Sequence, residues 1–285
     1  MVEEIETMLT TSDGTTIFVR SWAPGYPQRV LVCVQGLGGH GGYYEELAHH
    51  LGSVGTILIA PDLRGHGHSE GKRGDIDYFD RYLGDVDAAI NWATVSWPDK
   101  PIFVLGESMG ASIAIQYIAN FEYHITSIPI TGLVLVSPVL SPAIHPTVAE
   151  VIRYIRLLLF APSRPAIAVT GREEMGSRDP AFNERLRADP HFVRHVSARF
   201  MTRLTFWLWQ SKRKAYQINL PLLVLLGGRD YVARRTGISA FLRNVPARGQ
   251  RIVTFPSAYH SLLHDPDTQA IIKVLASWLT AHSRI

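Results

Sequence analysis

Six apolar runs rich in β-branched residues punctuate the chain: VLVCVQG near Val30, TILIAPD near Thr56, IFVLGES near Ile102, GLVLVSP near Gly132, LLVLLGG near Leu222 and RIVTFP near Arg251. Such near-continuous runs suit strands buried on both faces. Between them, YYEELAHHLGSV, YFDRYLGDVDAAINWATV and the stretch after Ser108 carry apolar positions at helical spacing. Strand alternating with helix predicts an α/β protein with a mainly parallel sheet covered on both sides. TTIFVR follows the turn signal SDG and reads as an antiparallel strand at the sheet's edge.

The alternation lapses between Ser141 and Lys214, where the chain becomes helical, basic and aromatic without a strong strand candidate. VIRYIRLLLF, the Pro-punctuated APSRPAIAV and an Arg-rich helical pattern from Phe182 to Trp209 fill this segment. LPLLVLLGGRD then resumes the rhythm. The expected organisation is a core in two parts, 1–139 and 216–285, with a helical insertion, 140–215, lying over it. No internal repeat or low-complexity tract interrupts that plan.

Length alone, at 285 residues, fits either two small domains or one large α/β domain with an insertion. A 46% hydrophobic and 19% charged composition leaves little room for long disorder. No apolar run is long enough to span a bilayer, and MVEEIETMLT is acidic and lacks a signal-peptide pattern. A reducing, cytoplasmic setting is therefore the default expectation. The single cysteine, Cys33 in VLVCV, reads as a buried strand thiol rather than a nucleophile or disulfide partner. A formal net charge of +3 is modest and calls for no nucleic-acid partner. Nearly half of the basic residues fall between Arg153 and Lys214; a solvated helical face accounts for them more simply than an anionic partner.

Candidate chemistry begins at FVLGESMGAS, where apolar residues that suit a strand give way within a few positions to small residues that suit a helix. The pattern G-x-S-x-G makes that turn sharp and projects its central residue, here Ser108, above the end of the sheet. Gly106 and Gly110 let the helix pack against the strand without a clash. A serine hydroxyl needs a positioned base to take its proton. Groups that act in open α/β sheets gather outside the carboxyl ends of strands. His260, after the last strand, is the best candidate, with His264 the near rival; His49 and His50 lie in a helical pattern and read as surface groups. The acid that would orient the histidine is Asp230, directly after LLVLLGGR. Asp265 and Asp267 lie too close in sequence to the histidine for the usual geometry. The order serine, aspartate, histidine is the one expected of α/β hydrolases. An oxyanion formed on attack needs two aligned N–H donors. Met109, after the nucleophile and at a helix start, and Leu37, in the loop QGLGGHGG, are the candidates. That loop lacks both a P-loop lysine and dinucleotide-binding spacing.

With these residues in place the chain resembles the α/β-hydrolase superfamily along nearly its whole length, and more narrowly the monoglyceride lipase and lysophospholipase group of serine hydrolases. The resemblance rests on PDLRGHGHSEGKRG, LGESMGAS, GGRDYV and AYHSLLHD. It implies an α/β-hydrolase fold with an eight-stranded sheet, Ser108, Asp230 and His260 as triad, and Leu37 and Met109 as oxyanion donors. It also implies a helical cap over an acyl-binding pocket. Gln35 replaces the histidine that commonly precedes the oxyanion-loop glycine, and Glu107 takes an elbow position that is often histidine. His66 and His68 lack the further ligands a metal site needs. Their loop reads as structural, with Asp62 and Arg64 bonded to backbone and to each other.

The leading expectation is a cofactor-free carboxylic ester hydrolase acting on a small lipid-like ester through an acyl-enzyme. The stretch VIRYIRLLLFAP could line an acyl tunnel, rest on a membrane surface as peripheral contact, or simply pack within the cap. The alternatives are an acyltransferase or thioesterase using the same triad, and a hydrolase-like receptor without turnover.

Overall fold

The computed structural model describes residues 2–120, 130–143, 146–169, 176–246 and 249–283. Its central sheet has eight strands: β1 (Val2–Thr10), β2 (Thr16–Pro24), β3 (Arg29–Val34), β4 (Thr56–Pro61), β5 (Ile102–Glu107), β6 (Ile130–Val136), β9 (Leu222–Gly227) and β10 (Gln250–Phe255). They lie in the order β1-β2-β4-β3-β5-β6-β9-β10. From β4 to β10 every pairing is parallel, whereas β2 runs antiparallel to both β1 and β4.

The six residues of β3 are all buried, and alternate ones face opposite sides. Val30, Val32 and Val34 join one apolar cluster, whereas Leu31 and Cys33 join the other. On the first side pack α2 (Arg81–Ser96), α3 (Met109–Ala119) and α7 (Arg235–Leu242); on the second, α1 (Glu45–Gly52) and α8 (Thr268–His282). The sheet is covered on both faces, as its continuous apolar strands require. Chain order reverses at β3, which has β4 on one side and β5 on the other. Loops after β3 and β5 therefore flank a crevice at the carboxyl end of the sheet, where ligands bind in open α/β folds.

Several boundaries differ from the sequence expectation. TTIFVR is not the edge strand: β1, in the acidic stretch VEEIETMLT, pairs with all nine residues of β2 and takes the edge itself. RIVTFP forms the other edge, and its side chains are only partly buried. Between β6 and β9 lie α4 (Val148–Phe160), α5 (Pro180–Ala188) and α6 (Ala198–Arg213). Two short strands, β7 (Ile167–Ala168) and β8 (His195–Val196), pair antiparallel there. The Phe182 to Trp209 pattern is thus two helices, because Pro190 cannot supply a helical N–H and the chain turns through Pro190 to Phe192 before the short strand β8. Residues 144–145 and 170–175 of that segment lie outside the described ones. Helix α6 sinks Phe200, Leu204, Trp207 and Leu208 into the core cluster, whereas none of the side chains of α4 is buried. No described helix is long and apolar enough to cross a membrane.

Candidate active site

Strand β5 ends at Glu107 and α3 begins at Met109, so Ser108 makes the whole turn, at φ 55° and ψ −113°. Positive φ costs a non-glycine residue about 1–3 kcal/mol. Hydrogen bonds on both sides hold it there: Ser108 N–H donates to Val136 O (3.0 Å), and Ser108 O accepts from Val139 N–H (3.3 Å). The turn works only because Gly110 lacks a side chain: a Cβ there would lie 2.1 Å from Val34 O.

Asp230 follows β9 and is fixed by its own turn, its Oδ1 accepting from Val232 N–H (2.8 Å) and Ala233 N–H (2.9 Å). Its Oδ2 lies 2.8 Å from His260 Nδ1, and His260 Nε2 lies 2.8 Å from Ser108 Oγ. Burial by itself raises the Asp230 pKa. The His260 hydrogen bond, its charge and the two backbone amides outweigh this and hold the carboxyl below its ordinary value. The three side chains therefore form one line in which Asp230 accepts from Nδ1–H, leaving Nε2 free to take the serine proton.

The loop after β3 closes against this line. A Cβ on Gly36 would stand 3.1 Å from Ser108 Cβ, and Leu37 lines the adjoining cavity. Met109 opens α3 directly after the serine. Oriented to suit its neighbours, the Gln35 amide donates to Pro61 O (2.7 Å) and accepts from Leu63 N–H (2.9 Å), tying the loop to the end of β4. Glu107, beside Ser108 on the wall of the adjoining cavity, accepts from Tyr44 O–H (3.1 Å). Desolvation raises its carboxyl pKa, and the Tyr44 bond and His260 only partly offset that.

The cavity holds about 130 Å³, with walls that include Leu37, Tyr43, Phe182, Leu186, Phe192 and His264. Phe192 rests on the loop: a Cβ on Gly38 would meet its Cζ at 2.6 Å, and Val193 N–H donates to Gly38 O (2.9 Å). Nearby, Asp189 accepts from Tyr43 O–H (2.5 Å) and pairs with His40 Nε2 (2.9 Å), joining the segment before β8 to the loop after β3.

The other sequence candidates sit apart from the serine. His264 stacks on Phe182, with ring centroids 4.2 Å apart and planes 5° apart, and belongs to the cavity wall. His49 and His50 lie on α1 beside Glu45 and Glu46. Asp265 and Asp267 are engaged by Arg178. His66 Nδ1 faces Arg64 O (3.2 Å), and His68 packs on His191 at 4.1 Å. Asp62 and Arg64 do shape that loop, but not by bonding each other. Asp62 accepts from Gly41 N–H (2.6 Å) and His68 N–H (2.8 Å), whereas the Arg64 guanidinium is taken by Asp85 (2.7 Å) and Asp13 (2.6 Å). Asp85 lies 21 positions along on α2, and Asp13 sits in the β1–β2 turn, so local spacing pointed to the wrong partner. The sequence reading passed over Tyr43, Tyr44, Asp189, Phe192 and Arg178. Arg178 and Asp189 stood near legible signals, the Asp179-Pro180 start of α5 and the Asp189-Pro190 step after its end.

A family model described as serine aminopeptidase, S33, matches residues 25–267. Monoglyceride lipase from Rattus norvegicus is 27% identical over 279 residues, covering 95% of this chain and 89% of its own length. Monoacylglycerol lipase from Mycolicibacterium smegmatis is 28% identical over 274 residues, with 94% of each chain covered. Among solved structures, the monoacylglycerol lipase of Paleococcus ferrophilus superposes with a TM-score of 0.78 at 24% identity, covering 93% of this chain and 99% of that one. With most of its length matched by the family model, and the sheet order and elbow described above, this chain belongs to the serine aminopeptidase S33 family of α/β hydrolases.

Proposed function

We propose that the protein hydrolyses small lipid-like esters, of the monoacylglycerol or lysophospholipid type, through an acyl-enzyme on Ser108. The observation that carries this reading is the unbroken line Asp230, His260, Ser108 beside a cavity walled largely by apolar and aromatic side chains. The names of the relatives support the lipid part. Ser108 Oγ attacks the ester carbonyl as its proton passes to His260 Nε2. Asp230 keeps Nδ1–H in place and stabilises the imidazolium that results. The tetrahedral oxygen is received by the N–H groups of Leu37 and Met109, each such donor contributing about 10²–10³ in kcat. Collapse expels the alcohol, which takes the proton back from His260. Water, deprotonated by the same nitrogen, then attacks the acyl-enzyme and releases the acid. The insertion 140–215 serves as a cap, and α4 serves as its lipid-facing surface. Exposed Val148, Ile152, Ile155, Leu159 and Phe160 on that helix support contact with a membrane or lipid aggregate rather than internal packing.

The test is release of acid from p-nitrophenyl esters running from acetate to palmitate. Beside them stand monoacylglycerol and lysophosphatidylcholine in vesicles and an aminoacyl p-nitroanilide, with Ser108→Ala as control. Turnover of the lipid esters that falls by at least about 10⁴-fold in the variant is the expected result. Cleavage of the anilide alone would make the protein a peptidase. Acid release that gives way to a new ester when alcohol is added would make it a transferase.

A further inference from the structure

The histidine of the proposed site is carried by neither strand nor helix. His260 lies between the end of β10 and a short 3₁₀ turn at Leu262–His264, so its placement rests on what holds that loop. Two backbone amides on either side of it are held, one directly from the insertion between β6 and β9 and one through Asp265 of the same loop. Ser261 N–H, directly after His260, donates to Gly176 O (2.7 Å). Tyr259 N–H, directly before it, donates to Asp265 Oδ2 (3.3 Å). Asp265 is gripped in turn by Arg178, whose Nε stands 3.2 Å from each carboxylate oxygen. Arg178 Nη2 also bonds Asp265 Oδ1 and reaches Asp267 Oδ2 at 2.8 Å. Ser177 Oγ donates to His264 O (2.5 Å), so three consecutive residues, Gly176 to Arg178, brace this loop.

We propose that Arg178 is a positioning residue for His260, acting through Asp265. The inference rests on His260 being the base of the proposed reaction. A side chain that carries a proton between two oxygens must be held to a fraction of an ångström, and loops hold less firmly than helices or strands. The Asp265 side chain is completely buried. A carboxylate in that position must be matched by a partner with suitable geometry. The planar guanidinium supplies it, meeting both oxygens at once in a way an ammonium cannot. Burial by itself raises the Asp265 pKa, but the Arg178 fork and the Tyr259 and Asp267 amides outweigh it and keep the group charged. The anion then serves as a fixed acceptor for the Tyr259 amide, one peptide group ahead of the one that leads into His260. Among the described residues the Arg178 guanidinium bonds Asp265 and Asp267 and neither Ser108 nor His260, so its effect is on placement alone.

Arg178→Met is the variant to make, read by kcat and KM on the best ester and by the downfield proton resonance of His260 Nδ1–H in its bond to Asp230. The expected result is a fall in kcat of about tenfold to a hundredfold, the scale on which misplacement of about 1 Å acts. KM should stay within about twofold, because Arg178 is not among the cavity-lining side chains. The resonance should broaden or vanish. Arg178→Lys, which keeps the charge without the fork, should recover part of the rate. Asp265→Asn should show the same loss, and the double variant should be no worse than the poorer single one, as two members of one chain of contacts require. A folded Arg178→Met with wild-type kcat and an intact resonance would overturn the proposal; so would a loss confined to KM, or additive losses in the double variant. Should Arg178→Met fail to fold, Arg178→Lys and Asp265→Asn give the same reading by the same measurements. A wild-type protein that turns over no ester would sink the functional reading instead, while the resonance still reports whether Arg178 holds the histidine.

Discussion

Gly110 shows how little tolerance the residue scale allows at this elbow. A Cβ at that position would lie 2.1 Å from Val34 O and 2.5 Å from Gln35 O, both backbone atoms at the end of β3 in the middle of the sheet. At Gly38 the obstacle would instead be the tip of the Phe192 ring, a side chain that can swing away. Overpacking a core costs about 1–3 kcal/mol, and more where the neighbour cannot yield. Gly110→Ala should therefore lose about 3 kcal/mol or more of stability and most of its activity, seen as a lower urea midpoint with an unchanged slope. An unchanged midpoint would mean that α3 can move off the sheet, and the turn at Ser108 would then not depend on this close approach. That Ser108, Asp230 and His260 lie together was readable because each stands at a strand's carboxyl end in a fixed chain order. Arg178 was not readable: its partner Asp265 is 87 positions away, and only the folded chain brings them together.

Among elements, the segment from Asp189 to Val193 decides how much room the site offers. Phe192 lies on the loop after β3 and narrows the cavity to about 130 Å³. Sites for drug-sized ligands run to about 300–1,000 Å³, so this arrangement suits a short acyl group and a longer chain needs the ring displaced. Phe192→Ala should raise kcat/KM for dodecanoyl and longer p-nitrophenyl esters several-fold relative to the acetate, and a chain-length profile identical to wild type would remove Phe192 from this role. The strands between β3 and β9 were legible from sequence because burial on both faces leaves continuous apolar runs. β1 was not, since its exposed edge position permits the alternating acidic VEEIETMLT, which reads as a polar amino terminus. Helical spacing continued through Pro190 because aromatic and arginine residues on either side happened to keep phase. The turn and bend that carry Phe192 over the site were hidden in that apparent helix.

On the scale of the whole molecule, a buried imidazole makes stability depend on pH well above the range where carboxylates usually titrate. His66 is 1% exposed, with its Nδ1 at Arg64 O and no partner for its Nε2 among the described residues. Burial lowers its pKa from 6.5 to about 4, the Arg64 carbonyl opposing, while Arg73 and His40 add to the depression and Asp62 resists it. Unfolding frees the ring to take a proton at its ordinary value. Between pH 6.5 and about 4 the unfolded chain therefore binds more protons than the folded one, so this group's contribution is present above 6.5 and lost as pH falls through the window. His264, which burial likewise lowers from 6.5 to about 4, acts with the same sign. Glu107 acts with the opposite sign, since desolvation raises its carboxyl and folding then favours its protonated form. The wild-type slope is a sum of these, and a comparison isolates one member. Urea midpoints measured at pH 7 and pH 5 should fall less on acidification in His66→Phe than in wild type, whatever the variant's absolute stability. Equal falls in the two proteins would mean that His66 takes up its proton in the folded state, with room and a partner for it inside the loop that Asp62 and Arg64 hold.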